Sequence, residues 1–149
     1  MKKFFSFAIA LVASALAFTS CENEAKIDSP LVGGWNTRGE LTLIDESTGE
    51  SKTYDADHSF TFFDNGQWQY NIYIHDTFNG VYKRGTWSVK ENKLTLRTQI
   101  SGTISNNNFT PKSGFQPTEE VVTWYIEDHY LFLTYSNGDI LRLYDGSGK

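Results

Sequence analysis

The sequence lacks most of the features by which an enzyme or a nucleic-acid-binding protein is detected. It has no phosphate-binding loop, no dinucleotide-binding glycine pattern and no recognisable order of Ser, His and Asp. Acidic residues outnumber basic residues by 18 to 13, and this negative charge argues against nucleic acid as a partner. We therefore expect a protein that is not an enzyme, uses no cofactor and binds no nucleic acid.

Cysteine is also scarce: Cys21 is the only one, so no disulfide can form within the chain. Cys21 follows an apolar run over residues 4–18, and Lys2 and Lys3 precede that run. This pattern is typical of a secretory signal, and the run is shorter than the roughly 20 residues that a spanning helix needs. The sequence Phe18-Thr19-Ser20-Cys21 resembles the lipobox of bacterial lipoproteins. The resemblance implies cleavage before Cys21 and lipid attachment to it; the alternative is an ordinary signal followed by a chance cysteine.

These features divide the chain into three predicted parts. Residues 1–20 form a cleaved signal peptide, residues 21–30 form a lipidated tether, and residues 31–149 form one domain. Loss of two lysines with the signal leaves 11 basic against 18 acidic residues, a net charge of −7. Two or more acyl chains anchor a protein stably, so we expect the membrane as a partner through Cys21. The acidic start after Cys21, Glu22-Asn23-Glu24, resembles the surface-export signals of Bacteroidetes lipoproteins. The resemblance implies the outer membrane of the cell envelope, in either leaflet.

The predicted domain has no helical periodicity and reads as short β-strands separated by turns. Residues 67–75 alternate, which predicts that Trp68, Tyr70 and every second residue after them share one face. Glycines follow turn-forming residues at Asn65-Gly66, Asn137-Gly138 and Thr48-Gly49, and each pair predicts a hairpin turn.

An internal repeat supports an all-β fold. Residues 87–96 and 124–133 match in their aromatic, branched apolar, acidic and leucine positions. Each copy predicts a strand, a tight turn and a second strand, with the Trp, the Val or Ile and both leucines facing inward. Repeated hairpins build an up-and-down meander, and closure into a barrel removes its exposed edges.

Three motifs resemble those of lipocalins and of lipocalin-like lipoproteins of Bacteroidetes. Gly33-Gly34-Trp35 resembles the G-x-W motif, residues 60–66 resemble a hairpin with Asp-Asn-Gly, and residues 85–89 with 94–96 resemble a Gly-Thr-Trp-Ser-Val hairpin. The resemblance implies an antiparallel, up-and-down, eight-stranded β-barrel. It also implies that the barrel holds a small apolar or amphipathic ligand.

The candidate ligand-binding residues are the aromatic residues on the predicted inward faces. These are Trp35, Trp68, Tyr70, Trp87 and Trp124. They either fill the core of a small barrel or line a cavity in it. The alternative function is a protein-interaction scaffold of the envelope with an unknown partner, for which the aromatic residues outside this set are the candidates: Tyr73, Phe78, Tyr82, Tyr125, Phe132 and Tyr144.

The three histidines, His58, His75 and His129, are too far apart in sequence to indicate a metal site, and none is predicted. Residues 55–58 are predicted to lie in an acidic connection, and His129 in a turn. Catalysis would require Asp57, His58 and His75 to converge. Residues 101–117, rich in Asn and Gly, are predicted to form a loop that is mobile or covers the barrel mouth.

Overall fold

The computed structural model describes residues 26–146. The predicted signal peptide and Cys21 lie outside the described residues. Within this range the chain forms nine β-strands: β1 (Gly33–Ile44), β2 (Ser51–Phe62), β3 (Gln67–Ile74), β4 (Gly80–Lys90), β5 (Lys93–Ser105), β6 (Asn108–Pro111), β7 (Thr118–Glu127), β8 (Tyr130–Thr134) and β9 (Ile140–Asp145). No helix over residues 26–146 is long and apolar enough to span a membrane.

Eight of these strands close into an antiparallel barrel, which confirms the predicted fold class. The wall runs β1-β2-β3-β4-β5-β7-β8-β9 and returns to β1. The ninth strand, β6, pairs with the last part of β5, from Gly102 to Ser105. The first part of β5, from Lys93 to Thr98, pairs with β7. Because β5 is long enough to serve both partners, β6 forms a short flap beside the barrel mouth.

The hairpin turns lie where glycine was predicted to form them. Gly66 has φ of 84° between β2 and β3, and Gly138 has φ of 91° between β8 and β9. An L-residue with a side chain rarely adopts such angles, so glycine determines where each strand reverses. The turns of the two repeat copies use other residues: Glu91 in the first and Asp128 with His129 in the second all have positive φ.

The repeat folds as two equivalent hairpins with the predicted inward faces. In each copy the Trp is opposite the second leucine and the Val or Ile is opposite the first: Trp87 and Leu96, Val89 and Leu94, Trp124 and Leu133, Ile126 and Leu131. The Trp124 amide donates a hydrogen bond to the Asn92 carbonyl at 2.9 Å, which joins one copy to the other. Because these side chains all face inward, they belong to the core or pack against it.

One end of the barrel is filled and closed by the segment before β1. Leu31 is fully buried, its carbonyl oxygen accepts a hydrogen bond from Trp35 Nε1 at 2.8 Å, and Ile27 packs against the same cluster. The Ile27 amide donates to the Asp64 carbonyl at 2.7 Å. Burial of a leucine side chain stabilises a fold by about 1.5–3 kcal/mol, so the segment from Ile27 is part of the packed domain.

Two segments predicted to be connections are strands instead. Residues 55–58 lie inside β2, which pairs with β1 over its full length, so the prediction of an acidic connection was wrong. Residues 101–105 belong to β5 and residues 108–111 form β6, so the predicted loop over 101–117 was also wrong over most of its length. A bulge between Arg84 and Gly85 shifts the register of β4 against β5. Because β5 has one extra residue there, between Thr98 and Ile100, its inward positions change from even to odd numbers. The later part of β5 is therefore hard to detect from the alternation in the sequence.

Candidate functional site

The barrel interior is packed in the closed half and open in the other half. A cavity of about 770 Å³ lies at the open end, between the end of β1 and strands β4, β5 and β6. Its apolar lining includes Leu41, Leu43, Val81 and the exposed Ile44, and its polar lining includes Ser101 and Thr103. Leu41 and Leu43 share the inward face of Trp35 on β1, because side chains alternate along a strand. The register places Val81 opposite the inward Ile72, and Thr103 opposite Val81, so both of these side chains also face inward.

A hydrogen-bonded pair of side chains, His58 and Tyr70, lies on the inward faces of β2 and β3. His58 Nδ1 is 2.6 Å from the Tyr70 hydroxyl oxygen, and His58 Nε2 is 3.1 Å from the Glu40 carbonyl oxygen. A Cβ atom at Gly39 would lie 3.2 Å from His58 Nε2, so glycine at this position leaves room for the imidazole ring. Burial lowers the pKa of His58, and the Glu40 hydrogen bond and the Asp57 charge oppose this shift. The pair therefore places a neutral imidazole in the interior at pH 7.

A second phenol, Tyr135, lies near Tyr70 at the side of the interior. The two tyrosines and Leu141 line a cavity of about 310 Å³ that opens beside the β8–β9 turn. Burial, with a smaller contribution from Glu120, raises the pKa of Tyr135 to about 12. Burial also raises the pKa of Tyr70, with a smaller contribution from Tyr135. Over residues 26–146 the Tyr135 hydroxyl makes no hydrogen bond, so it can donate one to a bound molecule.

The structure places the five predicted ligand-binding residues at different depths in the barrel. Trp35, Trp68 and Trp87 are at most 5% exposed and belong to the packed core of the closed half. Their indole nitrogens donate to the carbonyl oxygens of Leu31, Arg97 and Phe63 at 2.8, 3.2 and 2.9 Å. These three residues form the base beneath the open half, and Tyr70 reaches the cavity lining.

Trp124 is the remaining predicted residue, and it is half-buried against the same core. Its Nε1 atom is buried and has no hydrogen-bond partner among the described residues. An unpaired buried donor costs about 1–3 kcal/mol. Trp124 is thus the one indole of the four that is not fully satisfied in the described part of the chain.

Two residues of this site, His58 and Tyr135, were not identified from the sequence as facing the barrel interior. His58 was missed because Asp55 and Asp57 flank it, although these acids point outward and His58 continues the inward series before Phe60. Tyr135 was missed although it continues the inward series of Leu131 and Leu133 by one step. The period-two pattern beyond the strand ends was the available signal in both cases.

The acidic and histidine side chains do not converge on one catalytic cluster. His75 Nδ1 is 2.8 Å from Asp57 Oδ2 on the outer face of β2 and β3, whereas His58 faces inward. Among the described residues, no group of three or more His, Cys, Asp or Glu side chains is arranged to hold a metal ion.

The outer face of β7, β8 and β9 carries exposed aromatic residues. We call Tyr125, Tyr130, Phe132 and Tyr144 the outer aromatic surface. The Tyr125 and Phe132 rings are stacked with centroids 4.6 Å apart, and the Arg142 guanidinium lies 4.3 Å from the centre of the Tyr130 ring. Three of the six aromatic residues proposed for a partner surface, Tyr125, Phe132 and Tyr144, therefore lie together.

The other three residues of that proposed set lie elsewhere. Tyr82 is only 5% exposed and contacts Phe109 of β6 edge to face at 5.1 Å. Phe78 is 65% exposed in the β3–β4 turn, and Tyr73 lies opposite Asp57 on the outer face of β3. A partner surface that includes all six residues is excluded by this arrangement.

The fold and the open half define the class of this protein as a small antiparallel β-barrel with a solvent-open cavity at one end. A scan against protein-family models and a search of curated proteins return no match to this chain.

Proposed function

We propose that the protein is an envelope lipoprotein whose barrel binds a small apolar or amphipathic molecule in its open half. The observation that carries this proposal is the division of the interior: one half is filled by tryptophan and leucine, and the other half holds a cavity of about 770 Å³. Small-molecule sites in proteins are typically cavities of roughly 300–1,000 Å³. The motifs that resemble those of lipocalins support the same function.

The lining of the open half suits a molecule with an apolar body and a polar group. Leu41, Leu43 and Val81 present apolar surface in the larger cavity, where Ser101 and Thr103 are polar. Tyr70 and Tyr135 present hydroxyl groups in the smaller one. Sites of this kind combine a mainly apolar wall with a few polar groups that orient the ligand. Tyr135 offers a protonated hydroxyl, and burial raises its pKa further, to about 12.

We also propose that Cys21 carries the membrane anchor, and the packing of the N-terminal segment supports an orientation for it. Lys26 Nζ is 3.3 Å from Asp64 Oδ2 at the closed end of the barrel, and Ile27 packs there. Lys26 is five positions after Cys21, and five extended residues span no more than about 17 Å. A lipid on Cys21 would therefore hold the closed end toward the membrane and direct the cavity away from it.

The binding function is tested by titration of the full chain with 11-(dansylamino)undecanoic acid, a fluorescent amphiphile. We expect saturable binding that Thr103→Trp abolishes, because Thr103 lines the cavity and faces inward. The matched control is Thr61→Trp, at an outward position of β2 opposite Gln69 in the packed half of the barrel. Equal binding by all three proteins would place the probe outside the cavity, and no binding by any of them would contradict the proposal for this class of ligand.

A second function, a scaffold for another envelope protein, is favoured by the outer aromatic surface. Tyr144 is 52% exposed and Tyr125 is 47% exposed, next to an arginine; exposed aromatics with arginine are common where proteins bind each other. A photo-crosslinking amino acid at position 144 should give a discrete product in cells. The same amino acid at position 91, in the β4–β5 turn, should give none. Crosslinking at neither position would contradict the scaffold function.

A further inference from the structure

The barrel wall contains one incomplete seam, between the first and last barrel strands. β1 pairs with β2 through all twelve of its residues, but it pairs with β9 only through Trp35 with Asp145 and Asn36 with Tyr144. The Gly146 amide extends this contact by one hydrogen bond, to the Gly34 carbonyl at 2.8 Å, toward the closed end. Residues 37–44 of β1 therefore have no strand partner on the β9 side among the described residues.

The charges beside the seam oppose further pairing after Asn36. If the register of Asn36 with Tyr144 continued, Arg38 would lie directly opposite Arg142. Both side chains are exposed and on the outer face. Like charges directly opposite each other destabilise an antiparallel pair. Arg142 instead lies over the Tyr130 ring of β8, at 4.3 Å from its centre.

The β1 edge is further stabilised in its open form by His58. In the continued register, Glu40 would lie opposite Ile140. The Glu40 carbonyl instead accepts a hydrogen bond from His58 Nε2 at 3.1 Å, from within the barrel. The imidazole therefore occupies a backbone acceptor with which a β9 strand partner would otherwise pair.

The smaller cavity lies beside this seam. Its lining includes Ile140 and Leu141 of β9 together with Tyr70 and Tyr135, and Ile140 is 64% exposed. It therefore connects an exposed apolar residue at the seam with the two phenols of the interior. We propose that the seam between β1 and β9 is a side portal for the ligand, and that the charges of Arg38 and Arg142 keep it open. This inference rests on the proposed binding function.

The test replaces the repulsion across the seam by attraction. Arg142→Glu places a carboxylate opposite Arg38, Arg142→Lys keeps the positive charge as the matched control, and Arg38→Gln combined with Arg142→Glu removes the attraction again. Hydrogen exchange of the Arg38 and Glu40 amides measures whether the seam closes. Backbone groups alternate between the two edges of a strand, and the hydrogen bond from Gly146 to Gly34 shows that even-numbered residues of β1 face β9. Stopped-flow mixing of the full chain with 11-(dansylamino)undecanoic acid measures the rates of association and dissociation.

We expect Arg142→Glu to protect these amides and to slow association and dissociation by about fivefold, with little change in Kd. Arg142→Lys and the double variant should behave like the original chain. Protection with unchanged rates would overturn the portal, since the ligand would then pass through the open end. Unchanged protection in Arg142→Glu would overturn the role of the arginine pair. If the original chain does not bind the probe, the binding function itself is overturned and, with it, the portal.

Discussion

His58 Nδ1 lies 2.6 Å from the hydroxyl oxygen of Tyr70, and the rest of the imidazole determines which atom donates. The Glu40 carbonyl can only accept, so the 3.1 Å contact requires a proton on Nε2. Nδ1 of the neutral ring is then the acceptor, and the Tyr70 hydroxyl donates to it. Burial favours this arrangement because it lowers the pKa of His58 and raises the pKa of Tyr70. One uncharged network of hydrogen bonds thus joins β2, β3 and the edge of β1.

The first prediction concerns pH. The pKa of His58 in the folded protein is lower than its ordinary value of 6.5, so the unfolded chain binds more protons as the pH falls below that value. The contribution of neutral His58 to stability is therefore present above pH 6.5 and is lost as the pH falls through the folded pKa. Urea unfolding at pH 7.5, 6.0 and 5.0 should show this loss.

The control for this experiment is another histidine of the same chain. His58→Phe should reduce the pH dependence of the free energy of unfolding between pH 5.0 and 6.5. His129→Asn, at an exposed turn position with φ of 70° that asparagine tolerates, should leave it unchanged. An equal pH dependence in all three proteins would show that His58 titrates alike in the folded and unfolded states.

The second prediction compares two glycines of β1. Gly39→Ala would place a Cβ atom 3.2 Å from His58 Nε2, and the ring cannot move freely because Tyr70 and Glu40 hold it. We expect a loss of about 1–3 kcal/mol in the free energy of unfolding, as for other overpacked sites. Gly34→Ala meets no atom within 4 Å and should cost little. Chemical denaturation measures both, and equal effects would contradict a packed imidazole at Gly39.

The third prediction separates two tryptophans that differ in hydrogen bonding. Trp35→Phe removes the donor to the Leu31 carbonyl and leaves that buried oxygen unpaired. Trp124→Phe removes a buried donor that has no partner within residues 26–146. Both substitutions delete the same atoms, so their volume losses are alike. Trp35→Phe should be more destabilising by about 1–3 kcal/mol, and a larger loss for Trp124→Phe in thermal or urea unfolding would contradict this account.

The fourth prediction concerns the anchor. Cells grown with a labelled fatty acid should label the protein, and Cys21→Ala should remove the label and release the protein from the membrane fraction. Ser20→Ala is the matched control, since alanine before the cysteine fits the usual lipobox pattern and should preserve labelling. Label that persists in Cys21→Ala would show that lipid is attached elsewhere.

The features of the fold that depend on local chemistry could be predicted from the sequence. Gly66 and Gly138 specified hairpin turns through positive φ, and the repeated Trp, branched and Leu positions specified the inward faces. The bulge at Arg84 could not be predicted in this way. After Leu94, Leu96 and Thr98 the inward positions of β5 resume at Ser101 and Thr103, so the alternation changes phase within one strand.

The candidate site was less predictable because it depends on contacts distant in sequence. His58 becomes significant only when β1 brings the Glu40 carbonyl and β3 brings Tyr70 to its two nitrogens. The seam arises from the pairing of β1 with β9, whose residues are about 100 positions apart, as in Asn36 and Tyr144. The predicted tryptophans had the correct inward direction, but depth in the barrel placed three of them in the packed half.

Native mass spectrometry of the full chain purified from the cells that produce it tests the binding function most directly. We expect a population of the protein with the additional mass of a small molecule, which Thr103→Trp removes and Thr61→Trp retains. A single mass equal to that of the processed chain, together with no uptake of an added amphiphile, would contradict the proposal that the open half of the barrel is a binding site.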